Sequence, residues 1–511
     1  MKTKRYQPLP ALILLGIAGF SVAAEPAGGP PLRSDRMFSD HMVLQRGMVV
    51  PVWGTAAPGE TVTVSIRDQE KTTTADADGK WMVRLDPLET GAPATLTISG
   101  AGDAAIVFTD VLVGEVWIGT GQSNMAGATG GYRGNDAVLN TWADAASSLP
   151  LRFHDNGKGM WRTPSEQTIN GFSALGFAFM YSLAKELDVP VGMMVVAYGG
   201  RPSGDWITPE MAAASDDPVL RALGHRNPAP TAEDEPVTHR RKFLSREQMG
   251  KTYSNLIRRY RPYAIRGVLW DQGEAGTALE GVDQFTAMSA LIAGWREDWG
   301  QGDFPFLHLQ KPSGGGCAWD PANPMNDKAR TLTPQPTAPS RMSHEKMYYT
   351  LNHIRMGTIP NAPLVTTVDL APSVHPPTKS AYGARAVRVA LGAVYGRDVE
   401  TRGPVYRSHA VEDDRIRVTF DHTGEGLAWR HGDKLQGFEV AGADGRWDWA
   451  EASIDDDTVV LHNPNIPAPA HVRYAFHPQP SHANLFNNDG LPALTFTTEQ
   501  LPKDPLPSRG R

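Results

Sequence analysis

The stretch from Val111 to Gly127 restricts the fold of this chain more than any other part of it. Val111 to Val113 and Val116 to Ile118 are apolar, and Gly119 and Gly121 close the run. A short apolar run bounded by glycine is the pattern of a buried strand. It leads directly into Gln122-Ser123-Asn124. A serine just after a strand, among glycines, can sit on a sharp turn with its hydroxyl exposed. A nucleophilic serine needs that exposure, because its oxygen must reach a carbonyl while a base reaches the oxygen. An isolated serine of this kind is more often a polar turn residue, so the rest of the chain has to decide.

The length of 511 residues allows two to four domains. Charged residues make up 21% and hydrophobic ones 41%, ordinary for a soluble globular chain. The net charge of -7 argues against a general nucleic-acid binder, which usually presents a basic face. Lys2, Lys4 and Arg5, the apolar run Ala11 to Val22, and Val22-Ala23-Ala24 make 1–24 a signal peptide. The run is short for a membrane span. The mature chain is therefore expected to be exported, periplasmic or secreted, and not an integral membrane protein. Cys317 is the only cysteine, which excludes an internal disulfide and a cysteine-based zinc site. No metal and no organic cofactor is expected.

Residues 25–109 read as an N-terminal β region. Val49 to Trp53 and Thr61 to Ile66 alternate in the manner of strands, with turn signals at Pro58-Gly59 and Asp78-Gly79. Residues 110–400 alternate strand-like runs (Val189 to Val196, Arg266 to Trp270, Phe304 to Leu309) with helical stretches (Gly176 to Leu187, Lys379 to Tyr395). Such alternation predicts an α/β domain, a parallel sheet covered by helices. Its active site should lie beyond the C-terminal ends of the strands. Residues 401–505 are β again, with a hairpin signal at Asp444-Gly445. Asp205 to Met249 and Pro312 to Ser343 read as long loops.

Gly114-Glu-Val-Trp117 followed by Gly121-Gln-Ser-Asn-Met125 resembles the nucleophile block of the sialate O-acetylesterase family, carbohydrate esterases of the SGNH-hydrolase superfamily. Further blocks are similar to the same family: Phe38 to Arg46, Tyr198-Gly-Gly-Arg-Pro-Ser-Gly-Asp-Trp206, Gly267 to Glu274, and His375-Pro376 with Lys379 and Gly383. The resemblance implies an SGNH-like parallel sheet flanked by helices, with N- and C-terminal β-sandwich-like regions. It implies Ser123 as nucleophile and His375 as base. The Gln272 amide and the N–H groups of Gly200 and Ser123 would hold the oxyanion.

Where the family has an aspartate two or three residues before the histidine, this sequence has Pro372 and Ser373. Asp369 is the nearest acid and the first candidate to orient His375, with Asp271 and Glu274 as fallbacks. Arg201 stands where threonine is usual, and Asp271 where an aromatic residue is common; Asp271 is expected to face the pocket. The implied substrate is an acetylated carbohydrate, either O-acetylated sialic acid or an acetylated plant polysaccharide such as xylan. Two alternatives are a non-catalytic carbohydrate-binding protein and a thioesterase or lipase-like hydrolase of the same superfamily. Nothing in the sequence specifies an oligomeric state.

Overall fold

The computed structural model describes residues 31–102, 105–155, 159–225, 243–311, 332–339, 342–370, 373–477 and 480–501. The signal segment, Cys317 and Pro372 lie outside them. The valine-rich run becomes the longest strand, Ile106–Gly121. Its first five residues alternate between exposed and half-buried, and every residue from Val111 onward is buried. Its partners change at the same point. Up to Val111 it pairs antiparallel with Ala94–Ser99. Beyond that it pairs in parallel with Val43–Gln45, Val191–Ala197 and Gly267–Asp271. Asp110, at the change, has φ 52 and bonds both His41 and Arg152. One strand thus runs through position 109/110 and belongs to both the N-terminal β region and the central sheet.

The central sheet has the order Met160–Arg162, Leu151–Asp155, Val191–Ala197, Ile106–Gly121, Gly267–Asp271, Phe306–Leu309, Leu364–Val365. All its pairs are parallel except the first. A parallel sheet must be covered on both faces. Helices Ala174–Leu187 and Lys379–Ala393 cover one, burying Trp117, Phe177, Met180, Leu269 and Val387. They approach so closely that a Cβ on Gly383 would lie 2.5 Å from that of Ala178. Helix Gln284–Trp299 covers the other face, with Trp206, Trp270 and Trp295 in its core. Ser173 and Asp283 cap the first and last of these helices by accepting from the N–H of Gly176 and Thr286, each worth about 1 kcal/mol.

Glu115, on the strand Ile106–Gly121, is a structural hub. It is fully buried and pairs with Arg46 at 2.6 Å and Arg266 at 2.7 Å. Burial pushes its carboxyl up, and the two guanidiniums more than offset that, leaving it below the usual carboxylate range.

The C-terminal part packs two four-stranded antiparallel sheets, beside a two-stranded one, around Ile416, Val418, Phe438, Val440, Val459 and Val472. It joins the α/β part through Arg388–Asp489 (3.1 Å) and the Arg402 guanidinium on the Gly357 carbonyl (3.1 Å).

The expected loop from Asp205 to Met249 contains two helices, Pro209–Ala213 and Pro218–His225. Thr208 and Asp217 accept from the N–H of Met211 and Leu220, and the proline after each is preset for a first helical position. Helix His344–Arg355 follows the second expected loop. Among the described residues no helix is long and apolar enough to cross a membrane.

Candidate active site

The strand Ile106–Gly121 delivers its C-terminal end to the site. Gly121 has φ 129, and a Cβ there would lie 2.1 Å from the Asp271 carbonyl oxygen, so only glycine fits. The Gln122 N–H donates to that same oxygen at 2.9 Å. Ser123 then opens the short helical turn Ser123–Ala126. Its Oγ lies 2.8 Å from Nε2 of His375, which comes from an exposed loop between the last sheet strand and helix Lys379–Ala393. The loop Tyr198–Arg201 passes beside the serine. A Cβ on Gly199 would sit 3.6 Å from that of Ser123, and Gly200 has φ 71 with open space around it. Serine, histidine and paired glycines therefore converge where a parallel sheet places its ligands.

The other sequence-expected residues are placed differently. Gln272 is fully buried, and its amide is bonded on every side. Nε2 donates to the carbonyls of Arg201 (3.2 Å) and Gly276 (3.0 Å), and Oε1 accepts from Ser203 (2.7 Å) and Gln284 (3.2 Å). In this arrangement the side chain braces the Gly199–Gly200 loop and presents no open donor. Asp369 is buried too, and its two oxygens accept from Arg385 at 3.1 and 2.8 Å. Among the described residues no carboxylate hydrogen-bonds to the His375 ring. Asp271, expected to face the pocket, lies in the interior against Lys311 at 2.6 Å. The strand's pairing turns this side chain inward, and burial of an acid requires such a partner. Arg201 is exposed and pairs with Asp205 at 3.0 Å.

Sequence reasoning missed the charged network beneath the serine. Lys311 is fully buried between Asp271 and Glu274, the latter at 2.9 Å. Burial lowers its ammonium, and the two carboxylates overcome that and raise it, so it stays charged. Glu274 also accepts from Gln122 and, at 3.1 Å, from Asn124. Asn124 in turn meets Lys379 at 2.7 Å. The lysines could be seen as polar residues ending or opening an element, but their partners lie far along the chain.

His308 and His353 lie in the interior, and burial keeps both neutral, His308 at about 3. Among the described residues no group of three or more His, Cys, Asp or Glu side chains is placed to hold a metal. A groove of about 620 Å³ is lined by Ala126, Ala197, Tyr198, Arg162, Gln167 and Arg259.

The fold defines the class first. A crystal structure of a carbohydrate acetylesterase from Xanthomonas citri matches over 92% of this chain and 100% of that chain, with TM-score 0.72 and 25% identity. Residues 113–337 match the family described as carbohydrate esterase, sialic acid-specific acetylesterase. The sialate O-acetylesterase of Homo sapiens is 26% identical over 340 residues, covering 60% of this chain and 62% of the relative. That of Rattus norvegicus is 27% identical over 370 residues, covering 60% and 64%. The chain thus spans less than two thirds of the length of these curated relatives. His375 falls outside the matched segment 113–337.

Proposed function

We propose that this chain is an exported serine esterase that removes acetyl groups from carbohydrates, by acyl transfer through Ser123. The observation that carries this reading is the 2.8 Å contact between Ser123 Oγ and His375 Nε2 at the C-terminal end of the central strand. The match of 113–337 to the sialic acid-specific acetylesterase family supports the acetyl ester as substrate and sialic acid as the first glycan to test. The acetylated carbohydrates also include plant polysaccharides such as xylan.

In the proposed reaction His375 takes the Ser123 proton as Oγ attacks the acetyl carbonyl. The N–H groups of Ser123 and Gly200 hold the oxyanion, and Gln272 acts by keeping the Gly200 loop in place. The tetrahedral species collapses, His375 returns its proton to the sugar oxygen, and the sugar alcohol leaves. Water, deprotonated by the same imidazole, then cleaves the acetyl-serine to acetate.

Acetate release from acetylated sialosides, xylo-oligosaccharides and mannans, measured beside an aryl acetate, tests the reading. Release from at least one glycan, absent in Ser123→Ala, is expected. No release from any acetyl ester, with glycan binding retained, would instead make the chain a binding protein.

A further inference from the structure

The chemistry proposed above does not use the interior lysine Lys379. Lys379 is 1% exposed and sits in the first turn of helix Lys379–Ala393, where the helix dipole opposes positive charge. Among the described residues no carboxylate is ion-paired to it. Asp271, Glu274 and Asp136 favour its charge from a distance, Lys311 opposes it, and burial dominates, pushing it down to about 7. Its ammonium lies 4.9 Å from the Tyr132 ring centre and 5.7 Å from that of Tyr382. Burying an ammonium costs stability, and the hydrogen bonds around it indicate what the charge does there.

Lys379 Nζ donates to Oδ1 of Asn124, the residue directly after the serine. The Glu274 carboxylate and the Val374 carbonyl on the other side of this amide can only accept, so the amide nitrogen must face them and Oδ1 is left facing Nζ. That nitrogen donates to Glu274 Oε1 at 3.1 Å and to the carbonyl of Val374, immediately before His375, at 2.9 Å. Turning the amide over would set two donors against each other. His375 needs such a tether. Val374 is 70% exposed, and the carboxylate that ordinarily orients an imidazole beside a serine is not bonded to this ring among the described residues.

We propose that Lys379, acting through Asn124, is a positioning residue that sets His375 against Ser123 by anchoring the Val374 carbonyl. This rests on the serine-esterase reading. One side chain next to the nucleophile then fixes both halves of the pair.

Lys379→Met, Asn124→Ala, Asn124→Asp and the double variant Lys379→Met/Asn124→Ala test it on the full chain with an aryl acetate. Turnover is expressed per serine titrated with an organophosphonate. A small misplacement of reacting groups costs about tenfold to a hundredfold, so kcat should fall at least about tenfold in each single variant while KM stays within about twofold. The double variant should be no slower than the slower single, because both break one tether. Asn124→Asp keeps the lysine contact but turns an oxygen toward Val374 and Glu274, so it should lose as much as Asn124→Ala.

Wild-type kcat per titrated serine in Lys379→Met and Asn124→Ala overturns the proposal, whatever their melting temperatures. If Lys379→Met does not fold, wild-type kcat in both Asn124 variants overturns it equally. Ser123→Ala in the same assay separates the two readings, since activity there sinks the esterase reading itself.

Discussion

At the residue scale the site depends on what each polar side chain is bonded to. Ser123 is half-buried on a turn and touches His375. Ser123→Ala is expected to abolish turnover and leave the melting temperature near wild type; turnover within about tenfold of wild type would contradict the nucleophile role. Gln272 has both amide hydrogens on backbone carbonyls. Gln272→Ala should therefore lower kcat and melting temperature together. A loss of about a hundredfold in kcat at unchanged stability, the size typical of an oxyanion donor, would show direct donation instead. Asp369 is committed to Arg385. Breaking such a buried pair costs about 3–5 kcal/mol, so Asp369→Asn should melt well below wild type yet keep near-normal turnover per titrated serine. Loss of turnover by orders of magnitude at unchanged stability would restore Asp369 as the acid that orients His375.

At the element scale the strand Ile106–Gly121 organises the molecule, and it was the most legible part of the sequence. Apolar residues closed by Gly119 and Gly121 announce a buried strand and a tight exit, and both are local signals. The helices Ala174–Leu187 and Lys379–Ala393 were readable for the same reason, from apolar spacing. Gly121→Ala should fail to accumulate as folded protein, because its Cβ meets the backbone of the neighbouring strand; a folded, active Gly121→Ala would contradict the turn geometry. The short helices after Thr208 and Asp217 were missed because loop composition masked two proline-preset starts. The Lys379–Asn124 contact spans 255 residues, and Lys311 meets Asp271 only because adjacent strands end together. No periodicity or local motif encodes such pairings. Glu115 and Trp117 stand shortly before Ser123 yet serve the interior, Glu115 as an ion-pair hub and Trp117 against Tyr395 at 3.3 Å.

At the scale of the whole molecule, buried bases kept neutral tie stability to pH. His308 is held at about 3 in the fold, against about 6.5 for an unfolded histidine. Between those values the unfolded chain takes up a proton that the native one refuses, so stability falls as pH falls through that window. His308→Gln should melt with a shallower acid slope than wild type; parallel slopes would contradict a buried neutral His308. Lys379, at about 7 in the fold and about 10.4 unfolded, acts in a higher window. The native chain gives up this proton first, so its stability should rise from about pH 7 to about pH 10.4. Lys379→Met should lack that rise in thermal melts. The chemistry itself is tested most directly by quenching the enzyme during turnover of an acetyl ester and locating the acetyl group by peptide mass spectrometry. The serine-esterase mechanism predicts acetyl on Ser123 alone. Acetate released with no acetyl-serine at any quench time, or acetyl carried on another residue, would contradict it.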